Sequence, residues 1–479
     1  MPAPLPVDIG AQGPVLGPGS AGYEDELAAH QLGFGQRPDV VVGATGPGDV
    51  RAAVRLAVGR GLPLAVQSTG HGLPGDRTGG VLVTTARMRG VEVDPGSRIA
   101  RIRAGTPWGD VIRAAGLHGL APLSGSTFGV GAIGYTLEGG IGLLARTYGF
   151  AADRVTAAEV VTADGELRHV TAGSDPDLFW ALRGAGGNFG VVTSLDLELV
   201  RQPRIYGGGL YFAERYVPDA LRSWLEWTAG VGEETTSSIG LVAFPDKPAV
   251  PAPVRGRYAA HIRIAHTGGP SDGAAAVAPL RSIGPYVLDT LTEMPYTASD
   301  SIYRDPPGPM AYYGTNVLLD GLDAATAGRI PELTGPGSGL NCIVQISHLG
   351  GALARRPAVP SAVGHRDARF LVRVLSRLAP GAGEAVAGAE RARHERVYAL
   401  FGDRVLGIAP NFLLGGPVTA GQLRACYDAA DHERLTALKA VYDPGNLFRG
   451  YHPIPPGPAR RPLTRPRPAP ADPGPSGAR

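Results

Sequence analysis

Cysteine is almost absent from this 479-residue chain, which has only Cys342 and Cys426. Far apart and without metal-ligand or redox-pair spacing, they exclude a disulfide framework, a thiolate metal site and a dithiol redox centre. They read as small buried hydrophobes, with a single disulfide between them left open. No metal site is expected. Long apolar runs are also missing, none approaching the roughly 18 residues of a membrane-spanning helix. Residues 1–20 lack the basic segment, apolar core and cleavage site of a secretion signal, so a soluble, cytoplasmic protein is expected. An excess of one charge is lacking too: 45 Lys and Arg stand against 43 Asp and Glu, a formal charge of +2. That balance gives no electrostatic basis for binding nucleic acid or an anionic membrane, and the expected partner is a small molecule. Residues 455–479 are almost entirely Pro, Ala, Gly and Arg, with too little apolar surface to offset ordering entropy, so a disordered tail is expected.

Glycine, in contrast, is abundant, with 71 residues. Two glycine-bearing stretches stand out: Val66-Gln67-Ser68-Thr69-Gly70-His71-Gly72, and the run from Ser124 to Leu144. Glycine lets backbone N–H groups come close to phosphate oxygens, because no Cβ intervenes and φ can turn positive. A histidine in such a loop is a candidate covalent anchor for a cofactor, although an isolated one reads more readily as a turn histidine facing water.

The length and a hydrophobic content of 43% allow two domains, or three with a short terminal one. Residues 40–42 and 62–66 read as strands around a helix at 50–58, a small α/β unit that leads straight into the His71 loop. Short strands are predicted at 81–84, 91–93 and 99–103, and a helix at 108–118. Residues 122–142 hold glycines too often for an ordinary helix and read as backbone wrapped tightly around a ligand. Strands at 155–162 and 166–170 flank Ala163-Asp164-Gly165, a hairpin signal. A capped helix at 175–182 and a strand at 191–199 follow. Composition changes near Pro203, after which strand candidates at 239–244, 257–265 and 342–349 alternate with helices in an α+β pattern. Residues 422–441 read as one helix, ended by Asp443-Pro444-Gly445 and returning to the first domain.

With these motifs in order, the chain resembles the berberine-bridge-enzyme-like oxidoreductases, within the p-cresol methylhydroxylase and vanillyl-alcohol oxidase type of FAD protein. The resemblance runs from Arg37-Pro38 to His452-Pro453. It is carried by Ser-Thr-Gly-His71-Gly, Gly139-Gly140-Ile141-Gly142, Tyr148-Gly149-Phe150-Ala151-Ala152-Asp153, the stretch from Asp177 to Gly190, and Tyr442-Asp443-Pro444-Gly445-Asn446-Leu447-Phe448. It implies an α+β fold, a two-part FAD-binding domain with an inserted substrate domain built on an antiparallel sheet. On that reading residues 1–202 form the first part of the FAD domain, 203–411 the substrate domain, and 412–454 the returning segment. The resemblance further implies FAD bonded once to the protein, from His71 to the flavin 8α-methyl carbon. Its implied cofactor contacts are Ser68, Thr69, Gly70, His71 and Gly72, then Thr127, Gly131, Gly134, Gly139, Gly140 and Gly142, and finally Asn188 and Asn411.

Two departures bear on the chemistry. Where many relatives carry a second flavin-linking cysteine this chain has Thr127, whose hydroxyl lacks thiolate reactivity, so one covalent link is the most expected. Where relatives place a basic tyrosine two residues before an asparagine, Ala409 precedes Pro410-Asn411. Three residues are candidates for the missing proton acceptor. Glu138 replaces a glycine of the family pattern and is either an exposed or N–H-held carboxylate or a base near the flavin; it is slightly preferred because a carboxylate needs less displacement than a phenol to work near neutrality. Tyr312 and Tyr313 are either strand aromatics or phenols facing the ring. Asn188 is either a tight-loop residue or a cofactor contact, Trp180 a packing residue, and Asp153 a loop organiser. The expected activity is FAD-dependent oxidation of a small natural product by proton abstraction and hydride transfer, with oxygen reoxidising the flavin. Flavin-dependent cyclisation or elimination, or flavin binding without redox catalysis, are the alternatives.

Overall fold

The computed structural model describes residues 8–338, 340 and 342–458. The expectation of a disordered tail falls mostly on residues 459–479, which lie outside the described residues. Short buried β-branched runs open the fold. Strand β1 (Val40–Gly43) is buried throughout and passes into helix α1 (Pro47–Arg60), with proline in the first turn and Gly61 closing it at φ 65°. Asp49 ties down the turn before α1 by accepting from the Thr45 N–H at 2.8 Å and the Thr45 hydroxyl at 2.7 Å. Strands β2 (Leu64–Gln67) and β3 (Val81–Thr84) follow, and both β1 and β2 pair with β3 in parallel. This parallel arrangement projects the chain beyond Gln67 out of the sheet as the His71 loop.

A second sheet has five antiparallel strands in the spatial order β7, β6, β8, β5, β4. These are β4 (Val91–Asp94), β5 (Ile99–Arg103), β6 (Val155–Val161), β7 (Leu167–Thr171) and β8 (Val191–Glu198). The 163–165 hairpin joins β6 to β7, with Gly165 at φ 75°. Helix α2 (Trp108–Gly116) buries Trp108, Val111, Ile112 and Ala115, and α4 (Pro176–Leu182) is capped by Asp175 accepting from the Leu178 N–H. Between them the glycine-rich run is less irregular than expected, because it contains a helix, α3 (Ala132–Leu137). Ala132, Ile133 and Leu137 anchor α3 in the core, while Gly139 and Gly140 leave it in left-handed conformations at φ 104° and 77°.

The third sheet has nine strands. Along its main path residues 286–289 pair with β9 (Arg204–Ala213), followed in space by β11 (Tyr258–His266), β10 (Thr235–Ala243), β13 (Cys342–His348), β14 (Phe370–Arg377), β12 (Tyr312–Leu319) and β15 (Val405–Gly407). Its main-path neighbours are all antiparallel, so directly paired residues share a face. One face carries Phe212, Ile262, Ile239, Leu241, Val344, Ile346 and Val372 into a core with Trp224 of helix α5 (Val217–Thr228). The alternate residues, among them Tyr211, Arg263, Ser238, Gln345 and Arg373, point the other way.

Residues after 412 pack back onto the first core, where Leu423, Leu435, Leu438, Phe448 and Ile454 lie with side chains from the first two sheets. The single helix expected at 422–441 is two, α6 (Ala420–Arg424) and α7 (Ala429–Tyr442). The Ala425 carbonyl is taken by the Ile408 N–H at 2.8 Å and by His365 Nε2 at 2.9 Å, which diverts it from the helix ladder. Buried Cys426 and Tyr427 occupy the break. Cys342 and Cys426 are free and buried. Among the described residues no helix is long and apolar enough to cross a membrane, and no His, Cys, Asp and Glu cluster could hold a metal ion.

Candidate active site

A cavity of about 570 Å³ lies between the His71 loop, the glycine-rich run and the polar face of the third sheet. Of the residues nominated from sequence, Ser68, Thr69, Gly70, His71 and Gly72 line it, as do Thr127, Gly131, Gly134, Gly142 and Asn411. The His71 loop is held from several sides. Gly70, at φ 68°, abuts Ala29 so closely that a Cβ there would lie 2.5 Å from the Ala29 Cβ. The Thr69 hydroxyl accepts from the Gly131 N–H at 3.2 Å and lies 2.8 Å from His71 Nδ1. The Tyr312 hydroxyl donates to the His71 carbonyl at 2.5 Å.

His71 is shielded by the ring of His30. Burial first, and then His30, push its pKa down to about 3, so at neutral pH the imidazole is uncharged and nucleophilic. With Nδ1 engaged, Nε2 is buried without a partner.

The cavity passes the test of whether a flavin nucleotide suits it. Ser68 Oγ, His71 Nε2, Arg77 Nη2 and the Tyr135 hydroxyl line it as buried polar atoms without a hydrogen-bond partner. Such groups are costly unless something satisfies them. Gly134 and Gly187 border the cavity where an added Cβ would meet no protein atom within 4 Å, space that a side chain would take from a ligand.

Several nominated residues lie elsewhere. Asn188 does not line the cavity: its amide donates to the Ala185 carbonyl at 2.7 Å and the His452 carbonyl at 3.1 Å, and accepts from the Ile454 N–H at 2.8 Å. It is fully used in fastening the C-terminal segment. Gly139 and Gly140 are also off the cavity. A Cβ on Gly140 would strike Tyr135 and Ala151 at 2.6 and 2.7 Å, so glycine is required there by packing. The Gly140 N–H donates to Asn411 Oδ1 at 2.8 Å, and Asn411 Nδ2 donates to the Tyr135 carbonyl at 2.9 Å. Asn411 thus pins the glycine-rich run to the segment that begins the return.

The three candidate bases separate. Tyr313 is turned away from the cavity into a cluster with Phe34 and Ala387, its hydroxyl accepting from Arg391 Nε at 3.2 Å. Tyr312 lines the cavity, but burial pushes its pKa well up, so the phenol stays protonated as a donor to His71. Glu138 is buried, neither exposed nor held by local N–H groups: its Oε1 lies 3.1 Å from His452 Nδ1. Asp153 is engaged by Arg366 at 2.8 Å, and Trp180 packs under Arg434, whose guanidinium lies 4.0 Å from the ring centroid.

Sequence reasoning missed His30, Arg77, Tyr303, Tyr451 and the sheet residues Arg263, Gln345 and Arg373, which all line the cavity. A signal existed for one of them: in His261-Ile262-Arg263-Ile264 polar and apolar residues alternate, which marks one polar face of a strand. Nothing local says that this face meets a cavity.

Similarity to known proteins makes the chain an FAD-dependent oxidoreductase, with the fold of the 6-hydroxynicotine oxidase and berberine-bridge-enzyme-like structures. Residues 38–171 match an FAD binding domain family. The (R)-6-hydroxynicotine oxidase of Paenarthrobacter nicotinovorans is 28% identical over 95% of this chain and 99% of its own length. The crystal structure of 6-hydroxy-D-nicotine oxidase from Arthrobacter nicotinovorans superimposes with a TM-score of 0.80 at 27% identity, covering 95% of this chain and 100% of that one. The chitooligosaccharide oxidase of Gibberella zeae is 29% identical over 48% of each chain.

Proposed function

We propose that this protein oxidises a small organic molecule, of natural-product type, at a carbon bearing nitrogen or oxygen, using FAD bonded to His71 and molecular oxygen as the final acceptor. FAD when bound supplies the two-electron acceptor, receiving hydride from the substrate carbon and delivering both electrons to oxygen, which leaves as hydrogen peroxide. The observation that carries the reading is His71 itself: a neutral, half-buried imidazole whose buried Nε2 has no protein partner, on the wall of a cavity lined by unsatisfied polar groups. The C–N bond it would form replaces one N–H and one C–H bond. The two electrons such a step would release would leave by the same route to oxygen.

Residues 1–202 with 412–454 are read as the cofactor-holding part, and 203–411 as the part that closes over the substrate. The shared core of the early and late segments supports this division. This chain's contribution to the reaction is chiefly orientation and exclusion of water. With Glu138 committed to His452 and Tyr312 to the His71 carbonyl, hydride loss is assisted by the lone pair on the substrate's own heteroatom. The heteroatom proton leaves to solvent at the exposed edge formed by Arg304 and Asp305.

Acid-denatured protein should stay yellow, and peptide mapping should find the flavin adduct on the His71 peptide. Anaerobic mixing with a substrate should bleach the flavin, and admitting oxygen should restore the colour with one equivalent of peroxide. Turnover without bleaching would overturn the oxidase reading in favour of redox-neutral chemistry.

A further inference from the structure

The sheet wall of the cavity carries two guanidinium groups that form no ion pair among the described residues. Arg263 on β11 is 7% exposed, yet among the described residues it forms no ion pair, and its Nε and Nη1 are buried without a hydrogen-bond partner. Its guanidinium lies across the neighbouring strand β10 at Gly240, where a Cβ would come within 2.6 Å of Nη1. Glycine at that position is what lets the guanidinium lie flat against the sheet. The far side of the fork rests on Tyr303, 4.6 Å from its centroid, and the Tyr303 hydroxyl is held 2.9 Å from Ser238 Oγ.

A second guanidinium stands on the same face. Gly240 is paired with Gln345 on β13, and Gln345 with Arg373 on β14, so all three lie in one row across the sheet. Arg373 also forms no ion pair among the described residues, and its guanidinium stacks on Phe412, 4.3 Å from the centroid. Burial lowers its pKa, with Asp305 the foremost of the nearby charges opposing the shift. Asp305 is itself occupied at the cavity edge, accepting from the Ser126 and Thr127 hydroxyls at 2.7 Å each. Around the whole cavity five arginines, Arg77, Arg263, Arg304, Arg373 and Arg377, face only Glu138 and Asp305. Glu138 is engaged with His452 Nδ1 at 3.1 Å.

We infer that the substrate carries a carboxylate, bound between Arg263 and Arg373, and that these two residues select it. The inference deepens the oxidase reading and rests on it. A buried guanidinium loses its hydration and, unpaired, remains costly until an anion arrives. A planar guanidinium that spends none of its N–H groups on hydrogen bonds among the described residues keeps a two-donor edge for the two oxygens of a carboxylate. Tyr211, Phe244, Tyr303 and Phe412 beside the arginines supply aromatic surface for the body of such a molecule, while the same field repels an ammonium group.

The test uses the flavin-loaded protein titrated with benzoate, benzamide and benzylammonium, read by the flavin difference spectrum. Benzoate is expected to bind at least tenfold more tightly than either isostere. Arg263→Gln and Arg373→Gln should each weaken benzoate at least thirtyfold and leave benzamide within threefold, while Arg263→Lys, which keeps the charge but not the fork, should be intermediate. Benzylammonium binding as well as benzoate, or benzoate insensitive to both Gln variants, would overturn the inference. So would loss of flavin from otherwise folded Gln variants, since the arginines would then serve the cofactor's phosphates. Dithionite reduction and reoxidation by oxygen, measured on the same samples, report the flavin chemistry separately. Normal cycling with no carboxylate preference rejects only this inference, whereas a protein that holds no flavin rejects the oxidase reading beneath it.

Discussion

The imidazole rings of His30 and His71 are stacked, their centroids 3.8 Å apart and their planes 13° from parallel. Both are driven towards the neutral form, chiefly by burial. The contact fixes the ring plane of His71 from one side while the Thr69 hydroxyl holds Nδ1. His71→Ala is expected to abolish acid-stable flavin completely, leaving FAD that acid releases intact. His30→Ala should slow covalent incorporation about tenfold, a loss of roughly 1.4 kcal/mol in orienting the ring. Timed acid precipitation of apoprotein mixed with FAD measures both.

Glu138 and Tyr313 are expected to be dispensable for proton removal. Glu138→Gln keeps an acceptor for His452 without the charge, and should leave the anaerobic flavin-reduction rate within about threefold and its pH profile unshifted. Tyr313→Phe should behave likewise, because its hydroxyl contacts Arg391 outside the cavity. A hundredfold loss in Glu138→Gln, with the acidic limb of the profile abolished, would restore the carboxylate as the base.

Lys439 and Asp443 form a buried pair at 2.7 Å, with side-chain exposures of 0% and 1%. Lys439 also donates to the carbonyls of Asn188 and Phe448, and Asp443 accepts from the N–H groups of Leu447 and Phe448. Asp443→Ala strands the ammonium and is expected to destabilise the protein by about 3–5 kcal/mol. Chemical denaturation should report that loss, and Lys439→Met combined with Asp443→Asn should recover part of it.

Stability should fall on mild acidification. His348 and His394 are held down to about 3 by burial, against an ordinary 6.5, with Arg146 adding to the shift of His348. Below pH 6.5 the unfolded chain takes up protons that the folded chain refuses. The stabilisation is therefore complete above pH 6.5 and declines towards pH 3, by about 1.4 kcal/mol per pH unit for each imidazole. Thermal melts between pH 7.5 and 5 should show the slope. His394→Gln, which can still bond Thr315 and Ser376, should make it shallower.

Much of the first half was legible because its signals are local. Apolar runs bounded by Gly and Pro located the strands around α1, Ala163-Asp164-Gly165 located a hairpin, and the spacing of Ser68 to Gly72 marked a loop that lines the cavity. Where local reasoning failed, a distant group intervened. Residues 422–441 have helical periodicity throughout, but the Ile408 N–H captures the Ala425 carbonyl and divides the helix. Asn188 sits among glycines like a ligand contact, yet the chain at His452 and Ile454 uses up its amide.

The sequence by itself determined the chemistry available: a histidine in a glycine-bearing loop, a threonine at residue 127 that cannot form a thioether, and an alanine at residue 409, where the resemblance led to the expectation of a tyrosine. Tertiary structure alone decided which groups meet. Tyr312 and Tyr313 are adjacent in the chain, but a strand sends successive side chains to opposite faces, so one reaches the cavity and the other does not. Arg263 and Arg373, 110 positions apart by their numbering, share a face only because antiparallel register sets Arg263 opposite Ser238 and carries the next row from Gly240 through Gln345 to Arg373. Register depends on the whole sheet, and no stretch of sequence short enough to read as a motif contains it.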